Sequence, residues 1–185
     1  MRLDSLLLFC KSDFKRKGIS TVLNYDKRLP QILAIPDQIK QIFLNLLNNA
    51  ADACQNGSGI ITISTRQEEN GVVVAIKDNG TGIESGKIGL IFQPFYTTKP
   101  AAKGTGLGLS VCHGIVQSHR GEIRVESRPD EGSTFTVRLP IKTDKDEDST
   151  ETAAVVVTGL CNGDGAKEVA CPDDATESSA NLPVD

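Results

Sequence analysis

Asn45, Asn49 and Asp52 in "NLLNNAADA" stand at i, i+4 and i+7, so three polar side chains share one stripe of a helix whose other positions are mostly apolar. Asparagine is a mediocre helix former. A row of amide oxygens suits a hard cation, because Mg2+ takes oxygen ligands while keeping waters and substrate phosphates; the competing reading is a solvated helix face. In "KDNGTGI", 77–83, Asp78 ends an apolar run, and Gly80 and Gly82 allow the backbone to turn sharply beside it. An ionised carboxylate only accepts hydrogen bonds, so Asp78 can take an N–H from an exocyclic amine such as that of adenine. An ordinary Asp-Asn-Gly turn would read the same way. The third stretch, "KGTGLGLSV" at 103–111, places Gly104, Gly106 and Gly108 before an apolar helix-forming run. Bare backbone N–H groups and the positive end of a helix dipole suit an anion there. A Walker loop is excluded, since Gly108 is followed by Leu109 and Ser110 with no lysine. A dinucleotide fingerprint is excluded by the two-and-two glycine spacing.

These residues need elements to position them. Leu3, Leu6, Leu7, Cys10 and Phe14 fall at helical spacing, with Lys15 to Lys17 near the end and Gly18 as a stop, which predicts an amphipathic helix over 1–17. "ISTVLNY", 19–25, reads as a strand. Asp37 is expected to cap a long helix running to Cys54, with Ile39, Ile42, Phe43, Leu46, Leu47 and Ala50 as its core stripe. "GIITIST", 59–65, and "GVVVAIKD", 71–78, form an antiparallel hairpin across "RQEEN". A helix over 107–118 follows the glycines, and "GEIRVES" (121–127) pairs with "STFTVRLP" (133–140) across "RPDEG". Helices and antiparallel strands in separate runs imply an α+β two-layer sandwich.

Composition sets limits. At 185 residues one well-buried domain fits, with length left for appendages. The apolar run from Leu6 to Phe9 is too short for a signal sequence or a membrane span, so no membrane contact is expected. Five cysteines without a C-x-x-C pair suggest reduced thiols and a cytoplasmic location. The net charge of −4 hides a split: 1–140 hold 17 basic and 13 acidic residues, 141–185 hold 3 and 11. A mildly positive body suits a small anionic ligand and lacks the clustered Lys and Arg of a nucleic-acid binder. The acidic stretch 143–185, rich in Ser, Thr, Ala and Gly, is expected to be disordered.

Taken in order, the motifs resemble the catalytic ATP-binding domain of bacterial sensor histidine kinases, within the superfamily that includes type II topoisomerases, mismatch-repair ATPases and heat-shock chaperones. "QIFLNLLNNAADA" is similar to the N box, "DNGTG" to the first glycine box and "IFQPFYTTK" (91–99) to the F box. "GTGLGLS" is similar to the second glycine box and "GSTFTV" (132–137) to the closing strand motif. "PFYTTK" with a compact lid most resembles the nitrogen-regulation branch. The resemblance implies the Bergerat-type fold, a mixed and mostly antiparallel sheet covered by helices on one face. It also implies ATP and Mg2+ as ligands, with Asn49 on the metal and Asn45 supporting it. Asp78 would accept from the adenine amino group, Gly80 and Gly82 would give the base room, and Thr134 would assist through water. Residues 93–105 would be the ATP lid. Within and after it Lys99 and Lys103 would meet phosphate charge, and the stretch Gly104, Thr105, Gly106, Leu107 and Gly108 would offer backbone N–H groups.

By the same resemblance, the γ-phosphoryl group would pass to a histidine on a helical dimerisation domain and then to a response regulator. His113 and His119 lie downstream of the motifs and precede Gly114 and Arg120, so both read as structural and the acceptor is expected elsewhere. This implies three parts: 1–17, the remnant of a dimerisation domain or its connector; 18–142, the ATP-binding kinase domain; and 143–185, the acidic tail. A monomer or weak homodimer is expected. Competing readings are a nucleotide-binding module without kinase output, a serine-kinase relative of the anti-sigma type, and an ATP-driven conformational clamp. The clamp relatives carry a glutamate as hydrolytic base where this chain has Asn45.

Overall fold

The computed structural model describes residues 3–54, 57–100, 104–141, 153–155 and 167–169. In chain order the elements are α1 (Leu3–Arg16), β1 (Ile19–Asn24), β2 (Ile32–Ala34), α2 (Pro36–Ala53), β3 (Gly59–Glu68) and β4 (Gly71–Asp78). They continue with α3 (Ser85–Ile88), α4 (Gly108–Ser118), β5 (Glu122–Arg128), β6 (Gly132–Pro140), β7 (Ala153–Val155) and β8 (Lys167–Val169).

The main sheet runs β5-β6-β4-β3-β1-β8. Its central strand, β4, is the most continuously apolar, as a strand flanked on both sides should be. All neighbours are antiparallel except β1 and β3. Those two are joined through α2, and a helical crossover returns the chain in the same direction. One face of the sheet carries Ile61 and Ile63 of β3, Val72, Val74 and Ile76 of β4, and Phe135, Val137 and Leu139 of β6, all in the core. Register puts Ile63 beside Ile76 and Ile76 beside Phe135, forming a continuous apolar row. α2 lies over this row with every residue of its expected stripe buried, and Leu6, Cys10 and Phe14 bring α1 against the same core. Cys112 and Val116 do the same for α4. The fold is therefore an α+β sandwich with helices on one face of a mixed, mostly antiparallel sheet, as expected.

Several boundaries differ from the sequence reading. Asp37 does not cap α2: the cap position is Ile35, Pro36 opens the helix, and Asp37 sits in the first turn paired with Lys40. Proline pre-sets the helical φ and lacks the N–H that a cap would have to satisfy. The β3–β4 hairpin is longer than expected and turns at Glu69 and Asn70 alone. Arg66 and Glu68 pair across the register with β4, so cross-strand pairing extends a strand that composition would have ended. β2 and α3 were not anticipated. Within the stretch expected to be disordered, β7 pairs with β2 and β8 with β1, each adding three residues to an open strand edge. The rest of that expectation lies outside the described residues.

Candidate nucleotide site

The site begins at the C-terminal end of β4. Because side chains alternate along a strand, Asp78 points to the same face as Ile76 and Val74, into the helix layer, and is only 2 % exposed. Its Oδ1 accepts the backbone N–H of Gly80 at 2.9 Å and that of Ser133 at 3.2 Å. Both bonds end on Oδ1, leaving Oδ2 to accept from a ligand. Burial pushes the carboxyl above its ordinary value, opposed in part by the two backbone N–H groups. The result is a buried, oriented hydrogen-bond acceptor.

The loop after Asp78 is sewn to its surroundings. Asn79 accepts the Ile60 N–H at 2.7 Å and donates to the Ser58 carbonyl at 3.1 Å. Thr81 N–H donates to the Ala53 carbonyl at 3.1 Å, satisfying a C-terminal carbonyl of α2. A Cβ on Gly80 would lie 2.5 Å from the Ala53 backbone, and one on Gly82, whose φ is +66°, would lie 1.9 Å from the Arg128 carbonyl. These glycines thus allow the loop to press on α2 and on the β5–β6 turn, a close backbone approach that any side chain would block.

α2 supplies the second wall. Asn45 and Asn49 are half-buried on the stripe anticipated from their spacing, and Asn45 Nδ2 donates to the Gly108 carbonyl at 3.2 Å, tying α2 to the start of α4. Asn49 Oδ1 accepts the Lys99 ammonium at 3.0 Å. Lys99 also reaches Asp52 Oδ2 at 2.7 Å, while Lys17 reaches Asp52 Oδ1 at 2.8 Å. Burial alone would raise the Asp52 carboxyl, but the two ammonium groups outweigh it and hold it below the usual carboxylate range. An amide oxygen that already receives a cation has the chemistry to receive Mg2+, with Asn45 one turn earlier. Among the described residues no group of three or more His, Cys, Asp or Glu could hold a metal ion, so such an ion would depend on Asn49, waters and phosphate oxygens.

The third wall is the lid and the beginning of α4. Leu107 stands at the cap position without a side-chain cap, so first-turn amides of α4 remain for an anion. Gly106, with φ +67°, lies so close to the F-box backbone that a Cβ would be 2.3 Å from the Phe95 carbonyl carbon. Gly104 donates its N–H to Pro100, Thr105 Oγ1 accepts the Leu107 N–H at 3.4 Å, and Gly108 faces Asn45. Lys103 lies outside the described residues. Phe92 is half-buried against His113, with ring centroids 5.5 Å apart.

One expected residue moves. In β6 the register sets Thr134 beside Lys77, on the sheet face opposite Asp78. Ser133 takes the place expected for Thr134: it is 5 % exposed, its N–H reaches Asp78, and its Oγ is 2.9 Å from Ser127 Oγ. Ser127 in turn accepts the Ile83 N–H at 2.8 Å. Strand parity relative to Asp78 was the available signal, since Ser133 shares a face with Phe135 and Val137. Asp52 was visible as the third member of the helical stripe, but its pairing with Lys17 and Lys99 required tertiary contact.

His113 is half-buried beside Phe92, and His119 joins two elements. His119 Nδ1 is 2.8 Å from the Ile115 carbonyl and Nε2 accepts the Ile35 N–H at 3.1 Å. A single tautomer, protonated on Nδ1, satisfies both bonds.

A buried strand-end aspartate, an asparagine stripe and a glycine-flanked helix start converge here, and residues 34–143 match the family model described as "Histidine kinase-, DNA gyrase B-, and HSP90-like ATPase". The chain belongs to that family. It is similar to sporulation kinase C of Bacillus subtilis (strain 168), with 44 % identity over 108 residues, covering 58 % of this chain and 24 % of that protein. It is also similar to the sensor histidine kinase ZraS of Escherichia coli (strain K12), with 40 % identity over 135 residues, covering 73 % and 28 %. The chain thus spans about a quarter of the length of these curated relatives. Among solved structures, the catalytic domain of histidine kinase ThkA superposes with a TM-score of 0.67 at 30 % identity, covering 74 % of this chain and 88 % of that one. Family and fold together make this an ATP-binding catalytic domain of the histidine kinase type. No helix among the described residues is long and apolar enough to cross a membrane.

Proposed function

We propose that the chain binds Mg-ATP between α2, the Asp78 loop and the start of α4, and supplies the γ-phosphoryl group to a histidine on another domain or chain. A response regulator would then receive the phosphoryl group in a bacterial two-component relay. The observation that carries this reading is Asp78: a buried carboxylate with one oxygen fixed by backbone donors and the other left to select the amino group of adenine. The histidine kinases among the relatives support the direction of transfer. Phosphoryl transfer needs mainly positioning and charge neutralisation, because charge spreads over the transferred oxygens in a loose transition state. Asn49 would hold Mg2+, which supplies positive charge to the phosphates. Lys99, Lys103 and the first-turn amides of α4 bind and orient the phosphate chain.

The clamp reading is disfavoured by Asn45. Its amide donates to Gly108 and cannot take a proton from an attacking water, so efficient hydrolysis lacks a base at that position. A nitrogen-regulation subclass rests on "PFYTTK", and a cytoplasmic location on the reduced-thiol composition. Calorimetric titration with Mg-ATP and Mg-GTP, followed by incubation of the chain and labelled ATP with a histidine-bearing helical domain, tests the proposal. ATP-selective binding with phosphohistidine formed on the added domain is expected. ATP binding without any transfer would leave the module without kinase output as the better reading.

A further inference from the structure

Lys99 was expected to face phosphate, yet its ammonium rests on Asn49 Oδ1 and Asp52 Oδ2. Its backbone N–H donates to Thr97 Oγ1 at 3.1 Å, which holds this part of the lid in a turn. Gly104 packs on the same turn, since a Cβ there would meet Thr97 Oγ1 at 2.5 Å and Lys99 Cβ at 2.9 Å. The other oxygen of Asp52 takes Lys17, the residue that follows α1, and Lys17 also pairs with Asp13 Oδ2 at 3.0 Å. An unbroken series of charges therefore links the end of α1, through α2, to the lid lysine and the amide oxygen expected to serve the metal.

Resting on the Mg-ATP reading, we propose that Asp52 is a positioning residue that parks Lys99 on Asn49, and that Lys17 at the end of α1 sets the strength of that hold. One carboxylate charge is shared by two ammonium groups. Withdrawing Lys17 concentrates that charge on Lys99 and makes the lysine harder to release to phosphate. An ammonium and a divalent ion cannot both occupy the Asn49 oxygen, so release of Lys99 precedes productive nucleotide binding. Leu6, Cys10 and Phe14 hold α1 on the core, so a change that draws Lys17 from Asp52 is felt at the lid through the shared carboxylate and not through displacement of the whole helix. α1 thereby acquires an electrostatic connection to nucleotide affinity.

The side chains of Lys17, Asp52 and Lys99 are about one-third exposed, so each pair is screened and the effect is modest. Asp52→Asn is expected to tighten Mg-ATP about 2- to 5-fold, and Lys17→Met to weaken it by a similar factor, the range that partly exposed ion pairs support. The double variant should match Asp52→Asn alone, because Lys17 acts only through Asp52. Hydrogen exchange without nucleotide should speed up at the amides of Lys99 and Gly104 in Asp52→Asn and stay slow in Asp52→Glu. Weaker binding by Asp52→Asn, additive effects of the two substitutions, or unchanged lid exchange would each overturn the proposal. Absence of ATP binding by the parent chain would instead count against the Mg-ATP reading, and the exchange comparison would still decide whether Lys99 is parked.

Discussion

Asp78→Asn separates binding from stability, because the structure predicts opposite consequences for the two. The substitution is nearly isosteric and keeps an oxygen to accept the Gly80 and Ser133 N–H groups. It replaces Oδ2 by an NH2 group, which faces the adenine amino group with a second donor. A hydrogen bond to a charged acceptor contributes about 1.5–3 kcal/mol, so ATP affinity should fall about 10- to 100-fold. Folding should respond the other way. Burial raises the Asp78 carboxyl above its ordinary 3.8, so ionising it opposes folding. That opposition is absent below the ordinary value and grows as pH rises from it through the folded value. The variant should therefore be at least as stable as the parent at pH 7, with the difference shrinking as pH falls toward the ordinary carboxyl range. ATP affinity of the parent should decline over the same descent, as protonation removes the acceptor. Urea unfolding at several pH values, paired with calorimetric titration of ATP, reads both effects. A variant that binds ATP normally would refute the recognition role. One that loses more than about 1 kcal/mol of stability at pH 7 would refute the burial argument.

Gly82→Ala should cost about 1–3 kcal/mol of stability, since φ is +66° and the new Cβ would collide with the Arg128 carbonyl; an unchanged urea midpoint would show that this loop relaxes freely. His119→Ala removes the acceptor for Ile35 N–H and the ring partner of Ile115, and is expected to cost about 1–2 kcal/mol while leaving ATP affinity intact. Leu8 and Phe9 are 69 % and 79 % exposed on α1, so changing both to serine should alter stability by no more than about 0.5 kcal/mol each. The same pair should reduce any self-association seen by light scattering, and a parent chain that stays monomeric at high concentration would remove the weak-dimer expectation.

What the sequence by itself determined was local and periodic. The α2 stripe, the continuous apolar run of β4 and the glycines around Asp78 each encode their element within a few residues, because helical and strand periodicities repeat over that distance. The order of these motifs was enough to recognise the family. Tertiary structure decided whatever depended on which face or partner a residue meets. Thr134 and Ser133 are adjacent and chemically alike, and only the pairing of β6 with β4 directs Ser133 toward Asp78. That a Cβ on Gly80 or Gly82 would run into the backbone of α2 or of the β5–β6 turn is visible only in the fold. Lys99 and Lys17 are separated by most of the domain in sequence, and nothing in either neighbourhood signals a shared carboxylate. Folding brings them to Asp52 because α1, α2 and the lid converge at one end of the helix layer, and charge is felt across space rather than along the chain.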